Sequence, residues 1–221
     1  LGRALKQLLA SDQTAGAVLP LIGRWNFADQ VYDAARSAVS KAEVRLADKS
    51  LSDEERGQIA ANLLGVRVLD AGIVAAVAAV VGSDVSPGLQ QRVIEALGTT
   101  GDMVAGQALL AALPKLDSEL REAAFGQLVK RADWSAALVQ ALADRKLDPA
   151  LLGLANLYRL RTHADSAVAK RAVVVIEELK GPEQKEKDVL IAKLRPEVIK
   201  TGNLVNGAKL FTQNCAPCHK F

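Results

Sequence analysis

In Leu89-Gln90-Gln91-Arg92-Val93-Ile94-Glu95-Ala96-Leu97 the apolar residues Leu89, Val93, Ile94 and Leu97 fall on one side of a helix. Further along, Leu120, Ala124, Phe125 and Leu128 do the same. Spacings of three and four give a helix a single apolar stripe, which must be buried against something else. That period runs through nearly the whole chain. Only 4% of residues are aromatic, while Ala, Leu and Val dominate, a composition that leans away from antiparallel β structure. The best strand candidate, Val173-Val174-Val175-Ile176, sits inside a longer helical pattern from Ser166 to Leu179 and reads as a buried helix face. The expected fold class is all-α.

Caps and breakers cut the pattern into short helices. Ser52 with Glu55 forms a capping-box sequence. Gly65 and Gly82 read as helix stops. Ser86-Pro87, Asp117-Ser118 and Asp148-Pro149 read as helix starts. Gly98 to Gly101 ends one helix and Asp102 caps the next. The spacing predicts helices over 2–11, 14–24, 28–48, 53–65, 70–82, 87–97, 102–113, 118–131, 134–145, 149–161, 166–180, 183–194 and 204–213.

A weak internal repeat accompanies them. Lys115-Leu116-Asp117 recurs as Lys146-Leu147-Asp148, and at the same offset Leu120 matches Leu151 and Ala124 matches Ala155. The helix ending at Gly98 follows the one ending at Gly65 by nearly the same interval. Helix pairs at such a period suggest a HEAT-like α-solenoid of antiparallel helix pairs, in which stacked neighbours bury faces that one pair cannot hide. The alternative is an irregular helical bundle. Tetratricopeptide repeats share the period, but their Trp, Gly-Tyr and Pro positions are not met.

The 221 residues carry 28 basic and 25 acidic side chains, a net charge of +3. That is too small an excess to argue for nucleic acid or an anionic membrane surface. The longest uncharged apolar run, Ile73 to Val81, falls well short of the roughly 20 residues that a membrane span needs. Two Cys exclude a disulfide scaffold. The chain begins at Leu1 and ends shortly after Cys218, and reads as a piece of a longer protein. The lack of a signal peptide then says nothing about compartment. The run Lys180 to Asp188 alternates in sign and reads as a solvated helix start, Arg195-Pro196 as a helix stop, and 200–206 as a linker. The expected domains are therefore 1–199, helical repeats, and 200–221, a linker with the start of a second unit.

That second unit holds the one chemical motif. Gly207-Ala208-Lys209-Leu210-Phe211-Thr212-Gln213-Asn214-Cys215-Ala216-Pro217-Cys218-His219 contains C-x-x-C-H, the attachment signature of c-type haem. Thiols at Cys215 and Cys218, on one tight turn, can reach the two vinyl groups of a single porphyrin. The imidazole of His219 can then serve as proximal ligand of the haem iron. Phe211 is placed to pack toward the haem edge, and Gly207 permits close helix packing. A second axial ligand must come from downstream, so this piece by itself is expected to hold no stable haem.

Two rivals remain open. Cys-Ala-Pro-Cys resembles a thioredoxin-type redox pair, but such a site follows a buried strand and here the lead-in is polar and helical. A zinc site would need ligands beyond two Cys and an adjacent His, and the other histidine, His163, is distant in sequence. Met103 reads as a gap-filling core residue, His163 as a helix C-terminal cap, and Trp25 and Trp134 as inter-helix packing. No catalytic constellation and no Gly-rich phosphate loop appears elsewhere.

Trp134-Ser135-Ala136-Ala137-Leu138, then Leu157 to Asp165, then Ile191-Ala192-Lys193-Leu194-Arg195-Pro196, then Gly207 to His219, follow in an order that resembles a known family. These are the large multidomain proteins of planctomycetes and verrucomicrobia that join a sugar-dehydrogenase-like β-propeller, a HEAT-like helical region and a C-terminal cytochrome c domain. The likeness is best from about residue 115 to the end. It implies that Cys215 and Cys218 are thioether sites, that His219 is the proximal ligand, and that the location is periplasmic or exported. Propeller and most of the cytochrome are missing, so the dehydrogenase activity is not carried onto this chain. The expected function is a non-catalytic spacer holding a c-type haem domain, with a protein partner or neighbouring domain on the solenoid's concave face. The alternative is a protein-interaction module whose terminal Cys pair performs thiol–disulfide chemistry.

Overall fold

The computed structural model describes residues 1–70, 72–82, 85–198, 200–216 and 219. Among them there is no strand. The α-helices are α1 (Gly2–Ala10), α2 (Asp12–Trp25), α3 (Tyr32–Ala47), α4 (Asp53–Gly65), α5 (Gly72–Ala79), α6 (Pro87–Thr100), α7 (Met103–Ala112), α8 (Ser118–Leu128), α9 (Ala132–Ala143), α10 (Pro149–Arg161), α11 (Ser166–Leu179), α12 (Pro182–Val198) and α13 (Leu204–Asn214). The fold is all-α. No helix among the described residues is long and apolar enough to cross a membrane. The chain divides into two compact units, Leu1–Glu177 and Glu178–Phe221.

In the first unit, helices two apart in sequence lie side by side. α2 packs on α4, α4 on α6, α6 on α8 and α8 on α10, while α5 packs on α7 and α7 on α9. Successive helices such as α4 and α5, or α6 and α7, join one row to the other. The predicted stripes form the core between them: Leu89, Val93, Ile94, Leu97, Ala124 and Phe125 are fully buried. Five of the predicted starts are found in place, whereas α2 begins at Asp12, α3 at Tyr32 and α9 at Ala132 rather than at 14, 28 and 134. Ser52 and Glu55 close a reciprocal capping box, and the side chains of Ser86, Asp102, Asp117 and Asp148 each accept a backbone N–H of their helix.

The glycines act differently from expectation. Gly65 ends α4 without a left-handed backbone. Its role is close approach: a Cβ on Gly23 would stand 2.2 Å from the Gly65 carbonyl oxygen, and one on Gly65 2.8 Å from Pro20 Cβ. α6 runs through Gly98, whose added Cβ would strike the Gln127 side chain, and stops at Gly101, where φ is 67°. A side chain is disfavoured in that left-handed conformation, which glycine adopts freely.

A second periodic device links the rows. The fourth residue of α4, α6 and α8 reaches back to a carbonyl at the end of the preceding helical segment. Arg56 Nε donates to Leu46 O at 2.8 Å, and Gln90 Nε2 to Val81 O at 2.8 Å. Arg121 donates to three carbonyls, Leu113 O at 3.2 Å, Leu116 O at 2.5 Å and Leu151 O at 3.5 Å. Helix ends leave such carbonyls without intrahelical partners, and an Arg carries enough donors to satisfy several.

The pattern stops at α10. Its fourth residue is Leu152, and the helix is broken at Gly153, with φ 71° and ψ 166°. One turn on, Asn156 occupies the place that Ile94 and Phe125 hold in α6 and α8. Its Nδ2 donates to Glu122 Oε2 at 2.6 Å, and Arg159 bridges Glu122 and Asn156 while lying over the Phe125 ring.

In the second unit, neither α12 nor α13 buries a described side chain. Val189, Ile191, Leu204 and Val205 are all at least 60% exposed. α12 continues through Pro196 to Val198 rather than stopping at Arg195.

Candidate functional site

α13 carries the C-x-x-C-H stretch on its C-terminal end. The helix starts at Asn203, whose Oδ1 accepts from Asn206 N–H at 3.0 Å. It ends where Cys215 N–H donates to Phe211 O at 2.8 Å and Ala216 N–H to the same carbonyl at 3.0 Å. Beyond it, His219 N–H donates to Cys215 O at 2.8 Å. That bond brings the backbone of the proposed proximal histidine beside that of the first cysteine.

Cys215 is a free, half-exposed thiol, His219 is exposed, and Phe211 is half-buried one turn before the motif. Cys218, the other predicted thioether site, lies outside the described residues. Nothing described lies within 4 Å of where a Gly207 Cβ would sit, so the close packing expected there is not made among the described residues. The donor set fits a c-type haem in kind: a thiol at the helix end, an accessible imidazole one turn on, and apolar Leu204 and Leu210 exposed on the same helix. Among the described residues, no three His, Cys, Asp or Glu side chains form a metal-binding group.

The helix end also bears on the thiol-redox alternative. A thiolate is favoured at a helix N-terminus, where backbone N–H groups and the positive dipole end converge. Cys215 occupies the C-cap of α13 instead.

In the first unit the structure assembles a polar cluster that sequence reasoning missed. Ser135, on α9, is fully buried, and its hydroxyl donates to Leu128 O at 3.2 Å. His163, in the turn after α10, brings Nε2 to 3.1 Å from both Ser135 Oγ and Val129 O. Asp165 N–H donates to its Nδ1 at 3.0 Å. His163 therefore caps the end of α8, not the end of its own helix as the sequence suggested. Serine beside histidine has the look of a nucleophile and its base, but this hydroxyl is sealed from solvent and turned to a carbonyl. The Asp165 carboxylate caps α11 by accepting from Ala167 and Val168 N–H. No signal in a single sequence joins Ser135 on one helix to His163 beyond the next.

The other readings divide. Trp134 is a packing residue, 1% exposed, whereas Trp25 is 49% exposed and Met103, at the start of α7, is 40% exposed and not in the core. Of the Val173 to Ile176 run, Val175 and Ile176 are buried and Val173 and Val174 partly exposed, as a helix face requires. Comparison with protein-family models, with curated proteins and with solved structures finds no match to this chain.

Proposed function

We propose that this chain is the helical-repeat scaffold of a periplasmic or exported redox protein, and that it leads into a c-type haem electron-transfer domain. The observation that carries the reading is the C-x-x-C-H stretch placed at the end of α13, with His219 N–H closed onto Cys215 O. Cys215 and Cys218 would form the thioethers and His219 would be the proximal ligand. The bound group would supply one-electron transfer; the residues of this chain supply covalent attachment, one axial nitrogen and the apolar flank of Leu204, Leu210 and Phe211.

The first unit is read as a HEAT-like solenoid of antiparallel helix pairs. What supports this is the side-by-side packing of alternate helices, together with the carbonyl-capping residues Arg56, Gln90 and Arg121, which recur once per helix pair. A stack of this kind serves as a spacer, and its concave face as a surface for a protein partner or a neighbouring domain.

The test is made on the full-length protein in a host that matures c-type haem. A pyridine haemochrome spectrum of the denatured product should be that of a c-type haem, and should vanish in the Cys215→Ala, Cys218→Ala double variant. A product that folds without covalent haem would remove the electron-transfer reading and leave a helical scaffold.

A further inference from the structure

We infer that His163 is a pH-sensitive latch that ties the turn between α10 and α11 to the ends of α8 and α9. The geometry fixes its tautomer. Asp165 N–H donates into Nδ1, so Nδ1 carries a lone pair and the ring proton sits on Nε2. Nε2–H then faces Val129 O and Ser135 Oγ, while the Ser135 proton is directed to Leu128 O. One neutral imidazole thus satisfies a carbonyl at the end of α8, a buried hydroxyl of α9 and an amide of the α10–α11 turn.

A second proton has one place to go, Nδ1, and there it meets the Asp165 N–H head-on. Two donors cannot share that contact, so protonation breaks the bond that folds the turn onto the ring. The charged groups on the surrounding elements are engaged elsewhere. Asp165 accepts from the α11 amides, and Asp133 accepts from Trp134 N–H. Lys130 reaches Gln127, Arg131 lies over the Trp134 ring, and Arg161 pairs with Glu177. Among the described residues, no carboxylate contact to the ring stands ready to hold a charged imidazole in place. Protonation of His163 therefore loosens the α10–α11 end of the unit.

NMR on the intact chain tests this directly, because it holds two histidines and the exposed His219 serves as an internal reference. At neutral pH the His163 nitrogen shifts should report a proton on Nε2. As His163 titrates, the hydrogen-exchange protection of the Asp165 amide, corrected for intrinsic rates, should fall about five- to tenfold, the ratio that one lost hydrogen bond is worth. His163→Asn keeps an acceptor for that amide without a titrating group, and should hold protection constant over the same range. A neutral ring protonated on Nδ1 would overturn the inference. So would a His163 that titrates while Asp165 protection stays level.

Discussion

Gly106 and Gly126 are both helical glycines, and the structure assigns opposite signs to their replacement by alanine. Relative to Ala, Gly in a helix interior costs about 1 kcal/mol, so each substitution starts with a gain of that size. At Gly126 nothing described lies within 4 Å of the new Cβ, and the gain should survive as roughly 0.5–1 kcal/mol of added stability. At Gly106 the Cβ would stand 2.7 Å from both Cδ1 and Nε1 of Trp134 and 2.8 Å from Cδ2. Carbon contacts settle near 3.5–4.0 Å, so the encroachment is about 1 Å against a rigid ring. The indole has little room to yield: it is 1% exposed, on α9 packed against α7, with Arg131 stacked over it at 5.4 Å. Overpacking of this kind costs about 1–3 kcal/mol, and three close ring atoms put this case at the upper end. The net expectation for Gly106→Ala is a loss of about 2 kcal/mol. Urea unfolding followed by helical circular dichroism measures both variants, and a Trp134→Leu background supplies the control. Removing the indole should cancel the clash, so Gly106→Ala should become neutral or stabilising there. Two substitutions of equal sign, or a Gly106→Ala penalty that persists without the indole, would refute the packing account.

Other expectations follow from the helix ends. Arg121→Met keeps an apolar stem but strips the donors from the Leu113, Leu116 and Leu151 carbonyls, and should cost about 2–3 kcal/mol in chemical denaturation. Lys41→Ala, which breaks the exposed pair with Asp12, should change stability by under about 1 kcal/mol. Ser52→Ala opens the capping box and should cost about 1 kcal/mol. The Ser52 hydroxyl, and then its backbone N–H, hold the Glu55 carboxyl below the usual carboxylate range. That contribution is complete above the unfolded-state value and is lost as pH falls through the folded one. The stability difference between wild type and Ser52→Ala should therefore narrow on acidification below the ordinary glutamate range, and a constant difference would count against it.

The helices themselves were legible because each is a local matter. Period, cap and breaker lie within a few residues of one another, and the predicted starts at Ser52, Ser86, Asp102, Asp117 and Asp148 are found in place. The ends were less legible. Gly98 lies inside a helix because its task is to let Gln127 approach, and a glycine spared for contact looks the same in sequence as one spared for a turn. The candidate haem site was legible as a motif, since C-x-x-C-H is an unbroken run from Cys215 to His219. Its local geometry, with His219 hydrogen-bonded to the Cys215 carbonyl, came from the structure.

By itself, then, the sequence determined an all-α chain, its side-chain-capped helix starts and the one cysteine–histidine motif, because these depend on interactions spanning at most one or two helical turns. Tertiary structure alone decided which partners the unpaired groups found. Arg121 serves three carbonyls from two parts of the chain, Gly106 on α7 makes room for the Trp134 indole on α9, and His163 caps α8 from beyond α10. The physical reason is that a donor, a bare Cα or a ring nitrogen is equally at home beside many residues. Only packing brings one of them within bonding distance.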